Sequence, residues 1–425
     1  MSRKIIYNSF WMMGEKLISI FGLIFVTSFV AKYVGPEIYG QIALAMTIFQ
    51  IIVVISQLGS DVIIFKRISR NEKSGRHLIN ATLNIRVFIY LICSAPIIIY
   101  SYIVNADTET LAFVIATFVA CFIQAMDVYS IYYDARLKSK TNTLTNILGL
   151  VVSLMFRWGI AWLMLNPIWL CVPICLTPAI PYFMRLYTYN KDNSSGYLKK
   201  KNKSRYNKYI LSAGTSFVLS SISVALYTRL SLLTLGVMLG QAAVGIYSVA
   251  VTLATAWSFV LNSIITSNLP SIFSETNYER VIRKAAKLLI IVTAIGTPVI
   301  IGAFFLGGGF IEYFYGPQYI PSILPMQILC VATLLSSLGT VSARYIAKFS
   351  GYLFLSKKMM LVAVFGLVFN FIFVKYYGVL GAAIASLITE FISLTLLNYF
   401  FNHGMVFTLH KRCFLYRNKT TILRG

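Results

Sequence analysis

The chain has 425 residues, 58% of them hydrophobic and 12% charged, and its mean hydropathy is +0.76. A soluble domain is about half apolar and about a quarter charged, so this composition excludes a water-soluble globule. A bilayer accommodates it, because roughly 20 apolar residues form a helix that crosses the hydrocarbon layer with its backbone hydrogen bonds satisfied internally. The net charge of +24 sits mainly in one alternating set of loops and tails, which makes it a topological signal and not the footprint of a nucleic-acid partner.

Apolar runs predict twelve spans, near residues 7–33, 38–65, 83–104, 110–133, 141–165, 168–188, 210–238, 243–268, 286–310, 321–346, 359–376 and 378–401. The first run is too long for a signal-peptide core and lacks a small-residue cleavage site, so it is read as a membrane helix. Lys66, Arg67, Arg70, Lys73, Arg76 and Arg86 mark one loop, and Arg136, Lys138 and Lys140 mark the next on the same side. That side continues through Lys191 to Lys208, Arg280 to Lys287, Lys348, Lys357 and Lys358, and a tail with Lys411, Arg412, Arg417, Lys419 and Arg424. The opposite loops carry Glu37, Asp107, Glu109 and Glu312 against only Lys32 and Lys375. The positive-inside rule therefore places both termini in the cytoplasm. The outer loops are short and leave no room for an extracytoplasmic catalytic domain.

The longest polar insertion, about 190–209, divides the spans six and six. This predicts an all-α integral membrane protein of two parallel six-helix lobes, 1–200 and 201–401, with a basic cytoplasmic tail over 402–425. Parallel repeats of this kind are a known transporter plan. A short internal echo agrees with it: Gly35, Gly40 and Ala45 fall in register with Gly240, Gly245 and Ala250, each set joining the first two spans of its half.

Those junctions also carry a family resemblance. Ala31-Lys32-Tyr33-Val34-Gly35-Pro36-Glu37-Ile38-Tyr39-Gly40 resembles the signature closing the first hairpin of Wzx-type polysaccharide-biosynthesis (O-antigen) flippases, a branch of the multidrug/oligosaccharidyl-lipid/polysaccharide exporter (MOP) superfamily. Gln57-Leu58-Gly59-Ser60 followed by Arg67 is similar to that family's second-span end, and Leu239-Gly240 with Val244 to Ala250 to its seventh-to-eighth junction. Phe314-Tyr315-Gly316-Pro317-Gln318-Tyr319 with Ile328-Leu329 is similar to its tenth span, and Tyr377-Gly378-Val379-Leu380-Gly381-Ala382-Ala383-Ile384-Ala385 to the start of its twelfth. Each fragment is short, but five in the right order on the right topology are collectively specific. The resemblance implies a MATE-like fold and a flippase of the bacterial inner membrane that moves lipid-linked oligosaccharide repeat units. It also implies ion or proton coupling, and a polymerase and chain-length regulator as partners in the pathway. One departure is visible: Thr228 precedes Arg229, where family members often carry an acidic residue.

A charge at the bilayer centre costs about 2.5–3.5 kcal/mol on insertion scales, so such residues face a wet cavity or a partner. Arg157 and Arg229 lie within predicted spans, far from the nearest basic loop, and Lys16 lies about a third of the way into the first. With Arg344 they form the candidate set for the anionic headgroup, its diphosphate above all. The competing reading for Arg157 and Arg229 is a structural ion pair with Asp127 or Glu390. Arg185 and Arg344 fall near cytoplasmic helix ends, where a long side chain snorkels to the headgroups. Glu390, Asp127, Glu15 and Asp61 are the candidates for ion coupling, because desolvation makes a buried carboxylate easier to protonate. Prolines 167, 173, 178 and 181 interrupt the sixth span, as a hinge or as ordinary tolerated kinks.

A hydroxyl moved into a medium without hydrogen bonds costs about 4–8 kcal/mol, so an oligosaccharide needs a hydrated path. Two rocking lobes with a cationic cleft would keep glycan and phosphate solvated while the lipid tail stays in the bilayer. Two alternatives remain open, a drug or small-cation antiporter on the same fold and a membrane glycan polymerase. The histidines (His77, His403, His410) all fall in predicted cytoplasmic segments, and no GxxxxGK[ST] loop occurs. Cys171 and Cys175 lie one turn apart without further soft ligands. No cofactor and no metal site is expected.

Overall fold

The computed structural model describes residues 3–104, 107–192, 222 and 224–422. These residues are helical throughout, with no strand among them: α1 Arg3–Gln57, α2 Ser60–Arg70, α3 Glu72–Val104, α4 Thr108–Met126, α5 Tyr129–Ala135, α6 Ser139–Trp162 and α7 Cys171–Asp192. Then come α8 Val224–Leu239, α9 Gln241–Ala256, α10 Ser258–Phe273, α11 Tyr278–Phe314, α12 Ile323–Lys348, α13 Tyr352–Leu394, α14 Leu396–Tyr399 and α15 Met405–Ile422. Among the described residues, nine helical stretches are long and apolar enough to cross a membrane. Two of these break at a glycine, Gly14–Gln57 at Gly35 and Tyr352–Tyr399 at Gly378. With α8 as a shorter apolar helix, the described residues account for twelve apolar segments in the predicted order.

The breaks have a backbone cause. Gly35 sits at φ 78°, ψ 170° and Gly378 at φ 57°, ψ −132°, regions that an L residue with a Cβ avoids. Gly240, the counterpart of Gly35 in the internal echo, holds nearly the same conformation, φ 82° and ψ −172°. Equal backbone geometry at the two in-register glycines is what a duplicated junction requires. At Gly378 the chain doubles back, since a Cβ on Gly381 would stand 1.9 Å from the carbonyl oxygen of Phe373.

The chain divides into two compact units, Met1–Leu226 and Tyr227–Gly425. In the first, α1 packs on α4 and α6, and α6 on α7. One apolar cluster joins Val30, Phe113, Ala116, Ala120, Ile160 and Ile174, and another joins Phe49, Tyr90, Cys121 and Met126. Arg86 departs from the sequence reading, which counted it as a loop residue. It lies well inside α3, 1% exposed, ion-paired with Asp61 of α2 and donating to Ser60 Oγ at 2.6 Å and to the Ala125 carbonyl at 2.9 Å. The reason is that α3 already begins at Glu72, and α2 folds back to bring Asp61 onto it.

In the second unit α12 is the central helix, packed on α13, α11 and α9. Met405–Ile422 is a helix and docks on α11, burying Val406 and Leu409 in a cluster with Ile282, Ala285 and Leu289. Its His410 lies between the Ser342 hydroxyl, 3.2 Å from Nε2, and the Tyr399 hydroxyl, 3.2 Å from Nδ1. Large apolar side chains such as Phe88, Ile103, Phe305, Val364 and Phe371 are exposed, as lipid-facing surfaces require.

Two outcomes are expected. Gly381→Ala forces a Cβ against the Phe373 carbonyl and should destabilise the second unit by about 1–3 kcal/mol, whereas Gly339→Ala, with no neighbour within 4 Å, should be neutral; thermal unfolding of the purified protein compares them. Burial pushes the His410 pKa down from its ordinary 6.5. The unfolded chain then binds this proton more readily than the folded one, so α15 docking is fully stable above that value and weakens as pH falls below it. Hydrogen-exchange protection over Met405–Cys413, taken relative to the intrinsic rate at each pH, should fall on acidification, and His410→Gln should flatten the response.

Candidate functional site

In the first unit the ionisable side chains predicted on apolar helices fall into a network. Asp127 ends α4 as its C-cap residue, and its carboxylate is ion-paired with Arg185 of α7, whose side chain is 3% exposed. The same guanidinium donates to Asn146 Oδ1 and, through Nε, to Thr145 Oγ1 at 3.2 Å. Asn146 Nδ2 then donates to Glu15 Oε1 at 2.8 Å. Carboxylate, guanidinium, amide and carboxylate thus tie α4, α7, α6 and α1 together. Two of the four predicted coupling acids, Asp127 and Glu15, share this network, and a third, Asp61, is held by Arg86. Arg185 corrects its sequence reading: it does not snorkel but is the buried partner of Asp127, because the end of α4 and two residues of α6, Thr145 and Asn146, supply acceptors for its donors. No local pattern announces this pairing, which joins residues 58 positions apart.

Arg157 is the exception in this unit. It is half-buried on α6, with Nη2 3.5 Å from Thr177 Oγ1. Among the described residues it has no ion pair with a carboxylate, and Asp127, its predicted structural partner, is taken by Arg185. Lys16 is exposed on α1.

In the second unit Arg229 is half-buried on α8 beside an exposed Thr228, and Arg344 is exposed on α12. Glu390, on the second arm of α13, accepts from the Tyr227 hydroxyl at 2.7 Å. One turn earlier, Ser386 Oγ lies 3.3 Å from Ser231 Oγ and 3.2 Å from the Tyr247 hydroxyl. Ser231 donates to Asn370 Oδ1 at 2.8 Å. The sequence reading singled out Glu390 but not the serines, tyrosines and asparagine around it. Their only signal is a polar residue recurring on one face of an apolar helix, as with Ser386 and Glu390 at i, i+4. Among the described residues no three His, Cys, Asp or Glu gather as metal ligands.

The paired arginine can be tested by its asymmetry. Arg185→Met or Asp127→Asn alone leaves a buried group without its partner and should cost about 3–5 kcal/mol. The double variant Arg185→Met/Asp127→Asn should lose less than the sum of the two single losses, read as a double-mutant cycle in unfolding free energy. Two additive losses would mean that the pair does not interact.

A family model described as polysaccharide biosynthesis protein matches residues 5–276, more than half of the chain. The lipopolysaccharide biosynthesis protein WzxC of Escherichia coli strain K12 is 32% identical over 128 residues, 30% of this chain and 26% of that protein; the match thus spans about a quarter of the relative's length. Among solved structures, the lipid II flippase MurJ in an inward closed conformation superposes with TM-score 0.69 at 14% identity, over 96% of this chain and 91% of that one. An inward-facing multidrug resistance MATE family transporter of the MOP superfamily gives 0.64 at 14% identity, over 96% and 99%. An outward-facing one gives 0.59 at 14% identity, over 93% and 96%. At such identities the likeness is one of fold. Twelve apolar segments in the predicted order, junction glycines of matching conformation and a family match over most of both arms of α1 through α10 lead to one conclusion: the chain belongs to the polysaccharide biosynthesis protein family and has the multi-pass helical membrane fold of MOP-superfamily transporters.

Proposed function

We propose that the protein is a flippase of the bacterial inner membrane that carries undecaprenyl-diphosphate-linked oligosaccharide repeat units, for O-antigen or a similar surface polysaccharide, from the cytoplasmic to the outer leaflet. The observation that supports this reading most is Arg157, a half-buried guanidinium on an apolar helix with no ion pair to a carboxylate among the described residues. An arginine in such a setting retains the capacity for a bidentate grip on a phosphate. Arg229 is the corresponding candidate of the second unit, and Lys16 of the first unit and Arg344 of the second, both exposed, are the further candidates for headgroup contact.

The lipid tail stays in the bilayer while the glycan passes through water, so the protein's task is to hold the charge and let the sugars remain hydrated. Alternating movement of two six-helix lobes, 1–200 and 201–401, accomplishes this without hydrolysing a nucleotide or breaking a bond in the substrate. The acids Glu390, Asp127, Glu15 and Asp61 divide under this reading: three are engaged with arginine or asparagine partners in the first unit, and Glu390, held by the Tyr227 hydroxyl, is the better candidate for ion coupling. A polymerase and a chain-length regulator would take the product on the outer side.

The test is a flipping assay in reconstituted vesicles with a defined undecaprenyl-diphosphate oligosaccharide. Loss of a charge-assisted hydrogen bond of about 1.5–3 kcal/mol should reduce the rate roughly ten-fold or more in Arg157→Ala and Arg229→Ala, with partial recovery in Arg157→Lys. Wild-type rates in both alanine variants would remove these residues from the site. Ethidium counterflow without any flipping would favour the drug or small-cation antiporter.

A further inference from the structure

The sequence reading carried the second span to residue 65, and the structure ends it earlier. α1 stops at Gln57, Leu58 and Gly59 turn the chain through left-handed backbone (φ 49° and 61°), and Ser60–Arg70 forms the separate helix α2. Two contacts fix its course. Asp61 is ion-paired with Arg86, and further along α2 Ile68 packs on Gly75, where a Cβ would stand 2.4 Å from Ile68 Cγ1 and 2.9 Å from its Cα. α2 therefore runs antiparallel to the first turns of α3, with its start at the level of Arg86. Beyond Arg86, α3 continues through residues 87–104 without a charged side chain, a run of about 27 Å at 1.5 Å per residue and close to the thickness of the hydrocarbon layer. The Asp61–Arg86 level thus marks the cytoplasmic edge of that layer, and residues 62–70 descend through the headgroups.

The faces of α2 are sorted by chemistry along that path. Ile64 and Ile68 are buried against the unit. Val62 and Phe65, nearer the hydrocarbon edge, are exposed, and Lys66, Arg67 and Arg70, farther from it, are exposed as well. Lys66 and Arg70 stand one turn apart on the same face, where like charges repel. The carboxylates nearby are already committed, Asp61 to Arg86, and Glu72 to Arg76, Arg136 and the Tyr132 hydroxyl. Neither Lys66 nor Arg70 forms an ion pair with a carboxylate among the described residues. Ser69, between them, donates its hydroxyl back to the Phe65 carbonyl at 2.9 Å, so the face presents apolar surface and positive charge but no free hydroxyl donor for a sugar. We propose that α2 is a binding surface for anionic phospholipid of the cytoplasmic leaflet, with Val62 and Phe65 against the acyl chains and Lys66 and Arg70 on the phosphate. Arg67, whose Nε donates to Ser74 Oγ at 2.9 Å, stands at its margin. Acyl chain and then phosphate within about 6 Å, one helical turn, is the order in which such a lipid presents itself, and one phosphate between the two cations relieves their repulsion.

The inference needs the membrane-spanning fold and the cytoplasmic placement of α2, and it does not rest on the flippase reading. Purified full-length protein with a photoreactive benzophenone side chain in place of Phe65 is reconstituted in nanodiscs of phosphatidylcholine and phosphatidylglycerol in a three-to-one ratio and irradiated, and its lipid adducts are identified by mass spectrometry. The same side chain at Phe305, exposed in a charge-free run of α11, reports the bulk ratio. Adducts at position 65 should be enriched in phosphatidylglycerol by roughly five-fold, the local gain that one cation brings beside anionic headgroups. Lys66→Gln/Arg70→Gln should return them to the bulk ratio, whereas Lys66→Arg/Arg70→Lys should keep the enrichment. Phosphatidylglycerol at the bulk ratio in the parent protein would overturn the proposal without any further variant. So would enrichment that survives the double glutamine variant, or adducts to protein in place of lipid. Irradiation in native membranes separates the other source of phosphate: adducts dominated by a polyprenyl diphosphate would give this face to a transport substrate and overturn its assignment to phospholipid.

Discussion

An ionised side chain on an apolar helix has to meet an opposite charge, a full set of hydrogen bonds or water, and that requirement organises the interior of both units. In the first unit it is met mostly by pairing. Arg86 takes Asp61 and Arg185 takes Asp127, and each guanidinium directs further donors to oxygens of neighbouring segments, Arg86 to Ser60 and the Ala125 carbonyl and Arg185 to Thr145 and Asn146. Such pairs are weak evidence for stability in themselves, because desolvation offsets most of their attraction. What they secure is register: α3 against α2 and α4, and α7 against α4 and α6, can slide only by exposing a bare charge to protein or lipid.

The same requirement makes the less engaged groups informative. The buried Arg86 and Arg185 of that unit each meet a carboxylate, yet Arg157 receives only a marginal contact from Thr177. In the second unit Glu390 is held by the Tyr227 hydroxyl and Lys358 by Asn398 Oδ1, each a neutral partner. Sites that bind and release an ion or a headgroup need this intermediate condition, since a fully paired charge has no capacity left and an isolated one would not stay ionised.

Glycine has the complementary role in the backbone. The positive φ at Gly35 and Gly240 breaks the helical path at equivalent places in the two halves, and Gly378 turns α13 back so tightly that Gly381 meets the Phe373 carbonyl. Helical hairpins of this kind bring residues from distant parts of the chain to one level, which is how Lys358 reaches Asn398 and how Ser231 reaches Ser386.

Length, hydropathy and loop charge were enough to establish a bilayer protein and the order of its twelve apolar segments, because insertion into lipid is decided segment by segment from about 20 consecutive residues. The junction fragments around Gly35, Gly240, Gly316 and Gly378 were legible for a similar reason, since each encodes a local backbone conformation. Which charges are paired and which are left was decided only by the tertiary structure. Asp127 meets Arg185 and not Arg157, and Arg86 and Lys358 lie inside the protein and not at its edge, because pairing depends on helix rotation and packing between residues tens of positions apart, which no local periodicity records.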